Sequence, residues 1–189
     1  MLIYAPTRTE IPEDLTYLYD RADERAGVTD YITALANAPE ILRWYYDTFD
    51  KNFMHGGRVD VRIKELVRLR LSMTHGCAFC NKWNTIDALA TGISQEQIDA
   101  LGPWPDEIDT DVFSPAEAAA MRYADQIVLP NMHGYLDDEL YAELKTHFDD
   151  AEIVELGVVM AVLTGFTKWM LVCDMVPKED NCPINPVGA

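Results

Sequence analysis

Apolar residues recur at helical spacing over most of the chain. In residues 35–49, Ile41, Leu42, Tyr45, Tyr46 and Phe49 share one side of a 3.6-residue repeat. Residues 137–148 do the same with Leu140, Tyr141 and Leu144. Residues 152–172 are apolar nearly all round, which predicts a central buried helix. Residues 115–128 are rich in the helix formers Ala, Glu, Met and Arg. Helix starts are marked by Ser94-x-x-Gln97, by Ser114-Pro115-Ala116-Glu117 and by Asp149-x-x-Glu152, all with capping-box spacing. Gly92 closes a segment over 81–91, and Gly102-Pro103-Trp104-Pro105 breaks the chain ahead of an acidic loop at 106–111.

One stretch reads two ways. Val67-Arg68-Leu69-Arg70-Leu71-Ser72-Met73 alternates like a strand, while Leu66, Leu69 and Met73 also fit a helical face. A lone strand in a helical chain has no partner for its backbone groups, so helix is favoured. The expectation is an all-α, compact multi-helix bundle of six to eight helices. It has an N-terminal arm at 1–34, a helical domain at 35–180 and a tail at 181–189. Pro6 and Pro12 suggest an extended arm, with Pro12-Glu13-Asp14 as a helix start.

The 189 residues are 49% hydrophobic and 25% charged, enough for one domain with a real core. Fifteen Lys and Arg against 32 Asp and Glu give a net charge of −17. Such a surface repels polyanions, so neither nucleic acid nor an anionic membrane is an expected partner. The opening Met-Leu-Ile-Tyr-Ala has no basic n-region. The apolar run 156–173 is interrupted by Gly157, Thr164, Gly165 and Thr167, and reads as a core helix, not a span. A cytoplasmic location is the expectation.

The chemistry centres on Cys77-Ala78-Phe79-Cys80, preceded by Gly76 and followed by a helical segment. Both sulfurs then lie in the first turn of a helix, close enough to form a disulfide. Free N–H groups and the helix dipole favour a thiolate there, with a pKa of roughly 3.5–7.5 against about 8.5 for a free thiol. A thiolate attacks peroxides and disulfides, and a second thiol three residues away can resolve the product. A metal site needs two more ligands, and no second CxxC or HxxxH exists, so no metal and no cofactor are expected. Cys173 reads as a small hydrophobe and Cys182 as part of a turn-like tail, neither with a function.

Three other residues are candidates. Glu65 lies twelve residues before Cys77 among Arg62, Lys64, Arg68 and Arg70, where it reads as a surface ion pair or as a catalytic carboxylate. Asn84 shares the helix face of the cysteines one turn on, where an amide can orient a water or a sulfur. His75 precedes the pair by two residues, where it can steady a thiolate, act as a base or be a hydrogen-bonded spectator.

The run Glu65-Leu66-Val67-Arg68-Leu69-Arg70, then Cys77-Ala78-Phe79-Cys80, then Gly92, resembles the alkylhydroperoxidase D-like branch of the carboxymuconolactone decarboxylase family. The likeness extends to Ala38-Pro39-Glu40-Ile41-Leu42-Arg43 and to the 148–156 segment, and leaves out the arm. It implies an all-helical homo-oligomer, a trimer or hexamer, and makes 60–73 helical. It implies thiol peroxidase or disulfide reductase activity on a hydroperoxide, recycled by a dithiol protein or small thiol. Cys80 would attack, Cys77 would close the disulfide, and Glu65 would activate the thiol through a histidine. Here the histidine positions of the family hold Asn84 and Phe79, so that relay is incomplete; His75 is the substitute in reach of the sequence. Two alternatives remain: a non-redox lyase whose basic cluster holds the carboxylate of a small organic acid, and a binding or scaffold protein with a vestigial site.

Overall fold

The computed structural model describes residue 1 and residues 3–184. Nine α-helices, two short 3-10 turns and one π-helix account for its regular structure. In order they are α1 (Thr16–Ala26), α2 (Asp30–Ala36), α3 (Pro39–Arg43), the π-helix (Trp44–Met54), α4 (Val61–His75) and α5 (Ala78–Ala90). Then follow α6 (Gln95–Ala100), α7 (Pro115–Asp125), α8 (Asp138–Lys145) and α9 (Asp150–Val172). Among the described residues there is no strand, only one isolated bridge between Cys77 and Lys178. The fold is all-α, as the periodicity predicted.

The three capping boxes form at Ser94, Ser114 and Asp149. Pro115 takes the first position of α7, where its missing N–H costs nothing. The ambiguous 67–73 segment is the end of α4, and its alternation has a physical reason. Lys64, Arg68 and Arg70 are buried, and each is answered. Lys64 Nζ donates to the Phe53 carbonyl at 2.7 Å and to the Gly56 carbonyl, and pairs with Glu155 at 3.3 Å. Arg70 pairs with Asp125 at 2.9 Å and donates to the Gly102 and Asp106 carbonyls. Stripping one partner from such a pair costs about 3–5 kcal/mol. The basic segment is therefore not the surface charge its sequence suggested.

Two apolar clusters fill the molecule. The larger lies between α4, α7, α8 and α9, around Leu66, Leu69, Met121, Leu144, Leu156 and Met160. The smaller joins the N-terminal arm to the cysteine pair and the C-terminal segment, around Leu18, Ile32, Leu42, Cys77, Leu171 and Met175. The arm is thus folded: α1 packs on α2 and α5, and buries Leu18 and Ala22.

Two expected helices differ. The single helix over 35–49 is divided, because α2 stops ahead of Pro39, which opens α3, and α3 runs into the π-helix. The helix over 152–172 forms, as α9, but is not enclosed: Val154, Val158 and Val172 are exposed. It is the one described helix long and apolar enough to cross a membrane, and it packs against α4 and α7.

Candidate functional site

Gly76 ends α4 in the left-handed conformation (φ 61°), and Cys77 immediately caps α5. The turn between the helices is this short, so the cysteine pair sits where α4 hands over to α5. The Cys80 N–H donates to Cys77 Sγ at 3.2 Å, and the two residues are joined in a disulfide with a Cα–Cα distance of 5.2 Å. Their environments differ. Cys77 is 0% exposed and lies behind the C-terminal segment, while Cys80 is 7% exposed and lines a cavity of about 90 Å³.

Aromatic side chains build much of the cavity wall. Tyr31 and Phe79 meet at 5.0 Å between ring centroids, Phe79 and Trp83 at 5.7 Å, and Tyr45 and Phe166 at 4.5 Å. Tyr31 faces Tyr46 with 3.3 Å between their hydroxyls. Burial pushes the Tyr31 phenol up to about 12 and raises Tyr45 and Tyr46 as well, so these hydroxyls stay neutral. The N-terminal arm contributes Tyr31 and Arg21 to the lining, a part of the site outside the family resemblance.

The polar side of the cavity holds a residue absent from the sequence candidates. His55 caps the π-helix, and its backbone N–H donates to the Asp50 carbonyl at 2.9 Å, five residues back. That wide turn puts Asp50 and His55 on one face. His55 Nδ1 lies 3.4 Å from Asp50 Oδ1, and Nε2 lies 3.6 Å from Glu65 Oε1. The Asp50 side chain raises the imidazole pKa against burial, and the charges of Asp50 and Glu65 add to it. The loop beyond His55 is pinned. Glu155 accepts the backbone N–H of Arg58 at 2.8 Å and of Val59 at 3.1 Å, and Lys64 holds the carbonyls of Phe53 and Gly56. Gly57 (φ 84°) lets that loop pass against the Glu155 carboxylate.

Glu65 is 0% exposed and stands behind His55, outside the cavity lining. Its Oε2 accepts from Arg68 Nε at 2.9 Å, and its Oε1 has no hydrogen-bond partner among the described residues. Burial raises this carboxyl, and the charge of Asp87 adds to it, more than Arg68 lowers it. Arg68 continues to Asp87 at 2.8 Å, and Arg25 reaches the same carboxylate at 2.6 Å. Burial alone would raise Asp87, but the two guanidinium groups outweigh it and hold the carboxyl low. A line of alternating charge thus runs from Arg25 through Asp87, Arg68 and Glu65 to His55 and Asp50.

Asn84 lines the cavity, and its Nδ2 lies 3.5 Å from the Arg68 carbonyl. His75 does not join the group. It is 0% exposed, lines no part of the cavity, and neither ring nitrogen has a hydrogen-bond partner among the described residues. Burial drops it to about 4, so it is neutral near pH 7 and offers no positive charge to a thiolate. The structure therefore brings Cys80 and Asn84 to the cavity wall together with His55, sets Cys77 and Glu65 behind that wall, and leaves His75 apart. His55 carried one faint signal, a histidine at the His55-Gly56-Gly57 break between two helical segments. Among the described residues no group of three His, Cys, Asp or Glu is placed to hold a metal ion.

An all-helical bundle with a helix-start cysteine pair on an aromatic-walled cavity is the class these features define. Residues 39–126, just under half of the chain, match the sequence profile of the carboxymuconolactone decarboxylase family. The uncharacterised protein YdfG of Bacillus subtilis is 28% identical over 132 residues, which are 69% of this chain and 85% of that protein. Among solved structures, the debrominase Bmp8 superposes with a TM-score of 0.72 at 18% identity, over 96% of this chain and 94% of its own. An alkylhydroperoxidase core, an uncharacterised peroxidase-related protein from Ralstonia eutropha, gives 0.71 at 15% identity, over 94% and 92%. A putative antioxidant defence protein from Agrobacterium tumefaciens gives 0.63 at 23% identity, over 77% and 96%. These likenesses establish the fold.

Proposed function

We propose that the protein is a dithiol-dependent reductase of small apolar electrophiles, and in the first place a peroxidase for organic hydroperoxides. The observation that carries this reading is the asymmetry of the pair: Cys80 opens on an aromatic cavity shared with His55, and Cys77 sits bonded behind it. In the reduced protein Cys80 at the third position of α5 is the attacking thiolate, favoured by the helix start and by the His55 imidazolium. Cys80 Sγ takes the terminal oxygen of the hydroperoxide, the O–O bond breaks, and the departing alkoxide receives a proton from His55. The Cys80 sulfenic acid is then attacked by Cys77, water leaves, and the disulfide closes. An external dithiol restores both thiols.

His55 suits this role by its two carboxylate neighbours. Asp50 fixes one ring nitrogen and holds the proton on the ring, while Glu65 stands beside the other to return a proton after each turnover. Asn84 then needs no proton: it is a hydrogen-bonding group in the wall. The lyase alternative drew on the basic cluster Arg62, Lys64, Arg68 and Arg70, and each of these four side chains is engaged with protein acceptors.

The aromatic lining favours one second reading. A cysteine-to-alanine variant of the debrominase Bmp8 has been crystallised with 2,3,4-tribromopyrrole. A flat halogenated ring also suits the walls here, and a dithiol supplies the two electrons that replace carbon–bromine by carbon–hydrogen, leaving bromide and a disulfide. One assay separates the two. With a dithiol reductant present, consumption of cumene hydroperoxide is measured beside bromide release from a bromopyrrole. Hydroperoxide turnover that Cys80→Ser removes supports the peroxidase; bromide release alone supports the second reading; neither overturns the dithiol function.

A further inference from the structure

The disulfide that ends this cycle is badly placed for its reductant. Cys80 lies at the wall of a narrow aromatic cavity, and Cys77 is 0% exposed. A protein-sized dithiol reaches neither sulfur directly. What covers Cys77 is the C-terminal strap, residues 177–184, and that strap carries a third thiol.

The strap is tied to the turn that holds the cysteine pair. The Ala78 N–H donates to the Pro177 carbonyl at 3.2 Å, and the Glu179 N–H to the Gly76 carbonyl at 2.9 Å, with Cys77 opposite Lys178. Asn81 Nδ2 reaches Glu179 at 2.8 Å, and Asn181 Nδ2 reaches the Met73 carbonyl at 3.0 Å. The Cys182 N–H then bonds the Glu179 carbonyl at 3.0 Å, folding Cys182 back over Gly76. A Cβ on Gly76 would meet the Cys182 Cα at 2.6 Å. One Cα–Cβ bond and one 3.8 Å peptide step further, the Cys77 and Cys182 Cα atoms lie within about 8 Å. Disulfides form at roughly 4.4–6.8 Å, so this bound is compatible with closure once the strap backbone shifts. Cys182 is 5% exposed, is not disulfide-bonded, and belongs to the same apolar cluster as Cys77 and Cys80. Its neighbours Asp180, Asn181 and Pro183 are exposed.

We propose that Cys182 is a third redox cysteine, which moves the disulfide from the cavity to the strap. This rests on the dithiol reading above. The Cys182 thiolate, its proton released to solvent, attacks Cys77 Sγ. The Cys77–Cys182 bond forms, the Cys77–Cys80 bond breaks, and its electron pair leaves on Cys80 as thiolate. The exchange is an isomerisation with no net oxidation. It frees the attacking cysteine for the next hydroperoxide and moves the oxidised pair onto the terminal strap, whose Asp180, Asn181 and Pro183 are exposed, so that an external dithiol reaches the pair when the strap lifts. Gly76 serves the same purpose, since any side chain there would force the strap away from Cys77.

The test uses acid-quenched alkylation and peptide mapping of the full chain. Reduced wild-type protein receives one equivalent of cumene hydroperoxide, and Cys77–Cys80 should appear first, followed by Cys77–Cys182 in at least about a tenth of the oxidised molecules. Cys80→Ser treated with diamide should form Cys77–Cys182 within one chain. Cys182→Ala, and separately Cys182→Ser, should slow steady-state turnover at least about fivefold with a thioredoxin-type dithiol protein and much less with dithiothreitol. Formation of Cys77–Cys80 in wild type with Cys182 alkylated in full throughout, together with no Cys77–Cys182 in Cys80→Ser, overturns the hand-off and leaves the peroxidase standing. Absence of Cys77–Cys80 in wild type counts against the peroxidase, and the Cys80→Ser sample then decides Cys182 alone.

Discussion

The two histidines near α4 are chemically identical and electrostatically opposite. His55 stands at the cavity edge between Asp50 and Glu65, half-exposed, with its pKa raised. His75 ends α4, fully buried with no partner for either nitrogen among the described residues, and is driven down to about 4. A histidine gains catalytic value from the charges that face it. Closeness in sequence gives no such value: His75 is two residues from the cysteine pair, His55 is twenty-two, and the carboxylate neighbours belong to the distant one. The same helix shows why. Its early part carries Glu65 and Arg68 into the charged line, while His75 in its last turn is fully buried.

The comparison is broken most severely at the sulfur both histidines compete to serve. Cys80→Ser should lower hydroperoxide consumption by about a thousandfold or more, because among the described residues no other thiol lines the cavity. His55→Gln comes next, with a loss of about a hundredfold, the lower end for general acid–base catalysis. Its pH profile should also change. The wild-type rate falls as pH rises through the raised His55 pKa and imidazolium is lost; the variant should lack that alkaline limb. Glu65→Gln keeps an acceptor for Arg68 but cannot pass a proton, and should cost about tenfold in the same assay.

His75→Leu should leave turnover alone and alter acid stability instead. The folded His75 pKa of about 4 lies below the unfolded value of 6.5, so between them the unfolded chain binds the extra proton. Stability is then full above pH 6.5 and is lost as pH falls toward 4, by about 3 kcal/mol in all. The variant should lose that part of the acid limb in chemical denaturation at pH 7 and pH 4. His55 has the opposite sign: its contribution is present below pH 6.5 and fades as pH rises through the raised folded value.

Much of the fold was legible in the chain. Ser94, Ser114 and Asp149 announce their helices because a cap is a local hydrogen-bond pattern, readable over four residues. The break at Pro39 and the π-helix were not, since Ile41 to Phe49 keep helical spacing through both. The cysteine pair was legible by the same local logic, and its cap geometry is as the spacing required. Glu65 was found by resemblance; its burial behind His55 depends on Lys64 and Glu155 pinning a loop ninety residues away from the latter. The arm was left unplaced because its apolar partners, α5 and the C-terminal segment, lie far along the chain. His55 was missed for the same reason: its meaning comes from Asp50 and Glu65 arriving on different turns, a coincidence of packing that no short motif records.

The central claim is that Cys80 in the reduced protein is a thiolate favoured by the His55 imidazolium across the cavity they share. Iodoacetamide alkylation of Cys80, followed across pH by peptide mass in wild type and His55→Gln, tests it most directly. The account predicts a wild-type midpoint well below the free-thiol value of about 8.5, and a rise of about one unit in the variant. Coincident midpoints near 8.5 in both proteins would contradict it.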